Sequence, residues 1–224
     1  MMKSSFTIEP MQAKYNRQVS QLLVHAFSGK FSPLTRMGEG DLALLFEELL
    51  DAFPGEQSSQ RVVAIHEETV IGTLCLKWKP GAGVDTAAAP PSARLSEMRE
   101  LARFGRWKVF KLLTALHVLS HEPQDGECYI ADLSVHPLHR GKGTGKLLLQ
   151  WAHAYAVCQP QWTFLSLHVS GSNAGAKRLY EQFSFHTQEE QHRLLLYVLV
   201  REWKWEYMIL PLEPTEHRAG EESL

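Results

Sequence analysis

The sequence predicts one mixed α/β domain in which strand-like and helix-like segments follow one another along most of the chain. Three observations carry this. Seven short runs with apolar, β-branched or aromatic character are bounded by turn residues and read as strands. Between them lie stretches whose apolar residues recur at helical spacing. At 129–155 a strand, a glycine-rich turn and a helix follow without interruption.

In chain order, 6–8 reads as a first strand closed by Pro10. A helical stripe over 15–27 carries Val19, Leu22, Leu23 and Phe27. A second helix spans 41–50, with Asp41 as its expected N-cap and Pro54-Gly55 beyond its end. Segments 61–66 and 70–78 flank a short polar turn and predict an antiparallel hairpin. Residues 80–91, rich in Gly, Ala and Pro, read as a loop insertion within the domain. A short helix is expected at 96–103 and a stronger one at 106–121, with Val109, Phe110, Leu112, Leu113, Leu116 and Leu119 apolar. Its basic residues Arg106, Lys108 and Lys111 suit a solvated face better than a membrane surface. Strands follow at 129–135 and 162–169, then a turn, a helix at 174–183 and a strand at 185–188. Within segment 192–203, residues 194–200 are apolar all round, so periodicity leaves helix and strand both open for the segment, and core and dimer face both open for 194–200. A last strand at 207–210 ends at Pro211. The domain is thus expected to fill 1–212, with 213–224 a polar tail.

Composition narrows the function classes. The chain has 224 residues, 44% of them hydrophobic and 21% charged, with net charge −2. That balance offers no bulk attraction to nucleic acid or anionic membranes. The N-terminus lacks a signal peptide's apolar region, and no stretch approaches the roughly 20 apolar residues of a membrane span. Cys75, Cys128 and Cys158 are widely spaced in apolar contexts and read as buried thiols of a cytoplasmic protein.

The glycine turn is the informative motif. Residues 129–135 end at His136-Pro137, where proline removes a ladder donor. Arg140, Gly141, Lys142, Gly143, Thr144 and Gly145 then open a run of helix formers. Bare backbone N–H groups beside a helix N-terminus bind phosphate. A Walker-type loop needs Ser or Thr after Gly-Lys, and here Leu147 follows Gly145-Lys146. A dinucleotide loop needs Gly-x-Gly-x-x-Gly and a downstream acid, and both are missing. The pattern present is Arg140-x-x-Gly143-x-Gly145, with Asn173, Ala176, Leu179 and Tyr180 following the next strand.

With that context the chain resembles the GNAT superfamily of N-acetyltransferases from Phe6 to about Leu212, its signature lying between Tyr129 and Phe185. One departure is Ser184, where many members have glycine, so a different helix cap is expected there. The resemblance implies a central mixed, mostly antiparallel sheet of about seven strands, flanked by helices and splayed between strands 129–135 and 164–169. It implies acetyl-CoA as co-substrate, with no metal. The backbone of Leu133, Ser134 and Val135 would take the pantetheine arm, residues 140–145 the pyrophosphate, and Asn173 and Lys177 would complete the cofactor site.

The implied reaction is direct attack of a primary amine on the thioester. Tyr180 matches the family's general acid. For the base, His168 and Tyr129 match a pair used by some protein N-terminal acetyltransferases, and Asp132 matches an acid of some amino-sugar enzymes. An imidazole, with an ordinary pKa of about 6.5, suits the task. Glu127 is expected to be solvated, and His136 and His139 lack companions at metal-ligand spacing. The acceptor, a small molecule or peptide, is left open. The border segments carry Trp107, Lys108, Lys111, Trp203 and Trp205, a makeup that disfavours a polycation. The alternative function is a non-catalytic acyl-CoA-binding or sensing module on the same scaffold.

Overall fold

The computed structural model describes residues 6–53, 58–81, 101–192, 197 and 202–212. Seven strands form one sheet: β1 (Thr7–Pro10), β2 (Ser59–His66), β3 (Thr69–Trp78), β4 (Glu127–Val135), β5 (Phe164–Ser170), β6 (His186–His192) and β7 (Lys204–Pro211). Their order is β1-β2-β3-β4-β5-β7-β6, antiparallel throughout except for the β4–β5 pair. The described helices are α1 (Asn16–Thr35), α2 (Glu39–Ala52), α3 (Arg106–Leu119), α4 (Thr144–Val157) and α5 (Ala174–Gln182). Helices α1, α2 and α3 close one face of the sheet over Val63, Ile65, Phe31, Leu42 and Leu112. Helices α4 and α5 close the other over Leu74, Leu76, Ile130, Leu148 and Leu167. Two apolar layers on one sheet give each face a core of its own. No helix among the described residues is long and apolar enough to cross a membrane.

Several expectations need correction. Helix α1 runs past Phe27 because Phe31 and Thr35 continue its buried stripe through Gly29 and Pro33. It ends at Arg36 in the left-handed region (φ 57°), whose N–H reaches the Ser32 carbonyl. Helix α2 is capped at Gly38 rather than Asp41, which with Glu39 lies in the first turn and complements the helix dipole. Helix α3 stops at Leu119, so His121 lies in the following loop. Phe110, expected on its buried stripe, is exposed and stacks on exposed Trp107. Cys158 is exposed at the end of α4, whereas Cys75 and Cys128 are buried. Of the helix expected at 96–103, Ala102–Phe104 is a 3-10 turn and the part before 101 lies outside the described residues. The loop at 82–91 and the tail from 213 also lie outside them, as does most of 192–203.

Helix α5 ends in a Schellman motif. The Phe185 N–H reaches the Tyr180 carbonyl at 3.0 Å, and the Ser184 N–H reaches that of Glu181 at 2.9 Å. Phe185 packs on Tyr180, with ring centroids 6.0 Å apart. The cap therefore keeps the geometry that glycine usually supplies, but with Ser184 at φ 66°. A side chain in that region costs about 1–2 kcal/mol. Ser184→Gly is expected to stabilise the protein by about 1 kcal/mol. A denaturation midpoint that stays put or falls would contradict the strain at Ser184.

Candidate active site

The site begins where β4 leaves β5. The two strands pair in parallel only from Glu127↔Phe164 to Ile130↔Leu167. At the next residue β4 changes register against β3: Leu76 faces Ile130 and Cys75 faces Asp132, so Ala131 is an extra residue. Such a bulge bends the strand and turns its later residues in a new direction. Strand β5 continues to Ser170 on β7, while 131–135 has no strand partner on its β5 side among the described residues. An open wedge results, edged by the backbone of Leu133, Ser134 and Val135. Unpaired ladder groups need partners, and an extended peptide-like ligand can supply them.

At the mouth of this wedge lies the glycine turn. After the 3-10 turn Pro137–His139, Gly141 and Gly143 take φ of 70° and 91°, a conformation that L side chains rarely adopt. Gly143 is the N-cap of α4, and among the described residues no side chain caps the helix. Its first N–H groups are thus left to a ligand or water. Gly145 has a different task, because a Cβ there would lie 3.0 Å from Leu179 Cδ2. It lets α4 approach α5. Arg140 Nε donates to the Val135 carbonyl at 3.1 Å, tying the turn to the strand end. Lys142 is exposed, and Thr144 is buried with its hydroxyl 3.5 Å from the His139 carbonyl. His136 Nδ1 accepts from the Leu138 N–H, so that imidazole serves the local turn. Among the described residues no His, Cys, Asp or Glu cluster suits a metal ion.

The groups expected to carry chemistry meet around one cavity of about 560 Å³, lined by Tyr129, Asp132, His168, Asn173 and Tyr180 together. Tyr129 Oη and His168 Nδ1 lie 3.2 Å apart. Tyr180 is buried, and burial, aided by the Asp132 carboxylate, pushes its phenol up to about 12. It keeps its proton at neutral pH. Asp132 is engaged on both oxygens, by Arg61 Nη1 at 2.7 Å and Nη2 at 2.6 Å. Asn173 caps α5, its Oδ1 accepting from the Ala176 N–H at 3.2 Å. Lys177, expected to help hold the cofactor, binds Glu206 on β7 through its Nζ at 2.7 Å. That contact, helped by Thr187 and Lys204 against burial, holds the Glu206 carboxyl below its ordinary range.

Glu127 overturns an expectation. Far from being solvated, it is 1% exposed at the start of β4. His121 Nε2 lies 2.9 Å from its Oε1, Tyr207 donates at 2.8 Å, Ser166 Oγ donates to the same oxygen, and the Gln124 N–H donates to Oε2 at 2.7 Å. Burial works against the charge, but these hydrogen bonds outweigh it and hold the carboxyl down at about 2. The His121 ring in turn lies 4.5 Å from that of Tyr129 and 5.1 Å from that of His168, on the cavity wall. Neither His121 nor Glu127 stood out in the sequence. The only signal was a carboxylate directly before the apolar run Cys128-Tyr129-Ile130-Ala131.

The sequence matches the acetyltransferase (GNAT) family over residues 33–185. No curated protein is similar to it in sequence. Solved structures are similar in fold. The chain is 15% identical to NAA60 of Arabidopsis thaliana, solved with a bisubstrate analogue, covering 94% of this chain and 100% of that one at a TM-score of 0.58. It is 16% identical to a variant of the spermidine N-acetyltransferase SpeG of Vibrio cholerae (97% and 100% covered, TM-score 0.58). It is 15% identical to the ribosomal-protein-S18-alanine N-acetyltransferase of Escherichia coli (98% and 99% covered, TM-score 0.54). The open wedge, the uncapped helix start behind a glycine turn and the family match agree, and the chain belongs to the GNAT family of acetyltransferases.

Proposed function

We propose that the protein transfers the acetyl group of acetyl-CoA to a primary amine by direct attack in a ternary complex. The family as a whole transfers acetyl groups from acetyl-CoA, generally to amines. What supports the reading for this chain is one arrangement: the open β4–β5 wedge has the uncapped start of α4 at its mouth, and its Leu133 edge lines the same cavity as the buried Tyr180.

The residues present fit the co-substrate. The α4 start and the turn at 140–145 would hold a pyrophosphate through backbone N–H groups, with Arg140 and Lys142 as nearby cations. The wedge edge at Leu133, Ser134 and Val135 would hydrogen-bond the amide-rich arm, and Asn173 borders the same space. Acetyl-CoA supplies the activated thioester; every other task falls to the protein. A backbone N–H of the open β4 edge would stabilise charge building on the carbonyl oxygen. Tyr129 and His168 would take the amine proton, directly or through water. Tyr180, protonated up to about pH 12, would donate to the departing sulfur. Asp132 is the weaker candidate base, because Arg61 already occupies both its oxygens.

The test is release of CoA thiol from purified protein given acetyl-CoA and a panel of primary amines. Release should require both substrates, and acetylated amine should appear mole for mole. CoA binding without release for every amine tried would refute the enzyme reading.

A further inference from the structure

We propose that the acceptor is a primary amine on a bulky apolar body, such as an alkyl or arylalkyl amine, and not a polyamine. This rests on the acetyltransferase reading and narrows its substrate class. From the catalytic candidates the cavity extends away from the glycine turn, on the opposite face of the sheet from α4. There it is walled by Phe27 and Phe31 of α1, Leu50 of α2, and Leu113 and Leu116 of α3. About 560 Å³ falls within the range of pockets that enclose drug-sized ligands, about 300–1,000 Å³. No residue of the glycine turn lines it, so a cofactor held there reaches this space only through the wedge.

Charge decides against a polycation. The only carboxylate among the described lining residues is Asp132, and Arg61 holds both its oxygens. Lys30 and Lys77 add positive charge to the same wall. A second or third ammonium group would lose water here without gaining a counter-charge. An apolar chain leaves water for a surface that matches it.

Part of the wall belongs to the long β3–β4 connection. Helix α3 lies in that connection, so its leucines set how much apolar body fits. The amine end would meet Tyr129 and His168, and the body would lie beneath Leu113 and Leu116.

The test is kcat/KM along a straight-chain alkylamine series from ethyl to decyl, alongside phenethylamine, ethanolamine and spermidine, with acetyl-CoA as donor. The amine basicity is nearly constant along the series, so its slope reads burial. We expect a gain of about fourfold per methylene until the cavity fills, then a plateau. Spermidine and ethanolamine should fall at least tenfold below hexylamine. Leu116→Trp, with its melting temperature checked, should bring the plateau to shorter chains. A flat series, a preference for spermidine or an unmoved plateau in folded Leu116→Trp overturns the proposal. So does a gain per methylene seen instead along acyl-CoA donors with ethylamine, which would give the cavity to the acyl chain. Calorimetric binding of the same amines to the CoA-loaded protein separates the two failures. Graded binding without turnover keeps the apolar site and sinks the enzyme reading; neither binding nor turnover sinks both.

Discussion

Replacing Tyr180 by phenylalanine is expected to lower kcat by about 10²–10⁴-fold, the usual range for losing a positioned proton donor. The ring packs against Phe185 at the end of α5, and phenylalanine retains that ring and its contact. Melting temperature and CoA affinity should therefore change little. What vanishes is a hydroxyl that burial and Asp132 keep protonated up to about pH 12. A thiolate leaving into a largely apolar cavity has few other proton sources there. KM for the amine should hold while kcat falls, because the hydroxyl acts in the transition state and not in ground-state binding. Thiols of higher pKa than CoA, built into donor analogues, should suffer the larger loss. An unchanged kcat would make Tyr180 a packing residue and would favour the binding-module reading of the scaffold.

Features set by short-range sequence were legible, and features set by long-range encounters were not. The glycine turn declares itself because backbone conformation at Gly141 and Gly143 is a local property. The β2–β3 hairpin declares itself for the same reason: His66 pairs with Thr69 across a turn of two glutamates, both at positive φ. The pairing of Tyr129 with His168 emerged only through the family pattern, since 39 residues separate them. Helix α1 looked finished at Phe27, because Gly29 and Pro33 are breakers by local propensity. Burial of Phe31 against Phe46 of α2 overrides them. The cavity wall was invisible for another reason. Leu113 and Leu116 read as generic core positions on α3, and only the fold shows that the space beneath them is open. Ser184 marks the converse case, where local reasoning expected an altered cap and Schellman hydrogen bonds hold the usual one.

Glu127 shows that limit most sharply, and it carries the largest expected effect on stability. Its donors come from positions 121, 124, 166 and 207, so neighbouring sequence makes it look like an exposed strand start. Glu127→Gln should destabilise the fold at pH 7 by about 2–4 kcal/mol, since an amide cannot accept from donors on both sides. With its oxygen kept toward Ser166 and Tyr207, its NH₂ would face the Gln124 N–H, donor against donor. For a chain of this size the melting temperature should drop by about 5–15 °C. The pH dependence has a definite sign. The folded carboxyl titrates at about 2, against an ordinary value of 4.5, so the folded state binds fewer protons in that window. Its contribution, about 3 kcal/mol from a shift of this size, is present above pH 4.5 and is lost as pH falls toward 2. Denaturant titrations of wild type and Glu127→Gln from pH 7 to pH 2.5 should therefore converge at the acid end. A constant gap between the two curves would mean that the charge at Glu127 stabilises nothing, and that its four contacts act only as neutral packing.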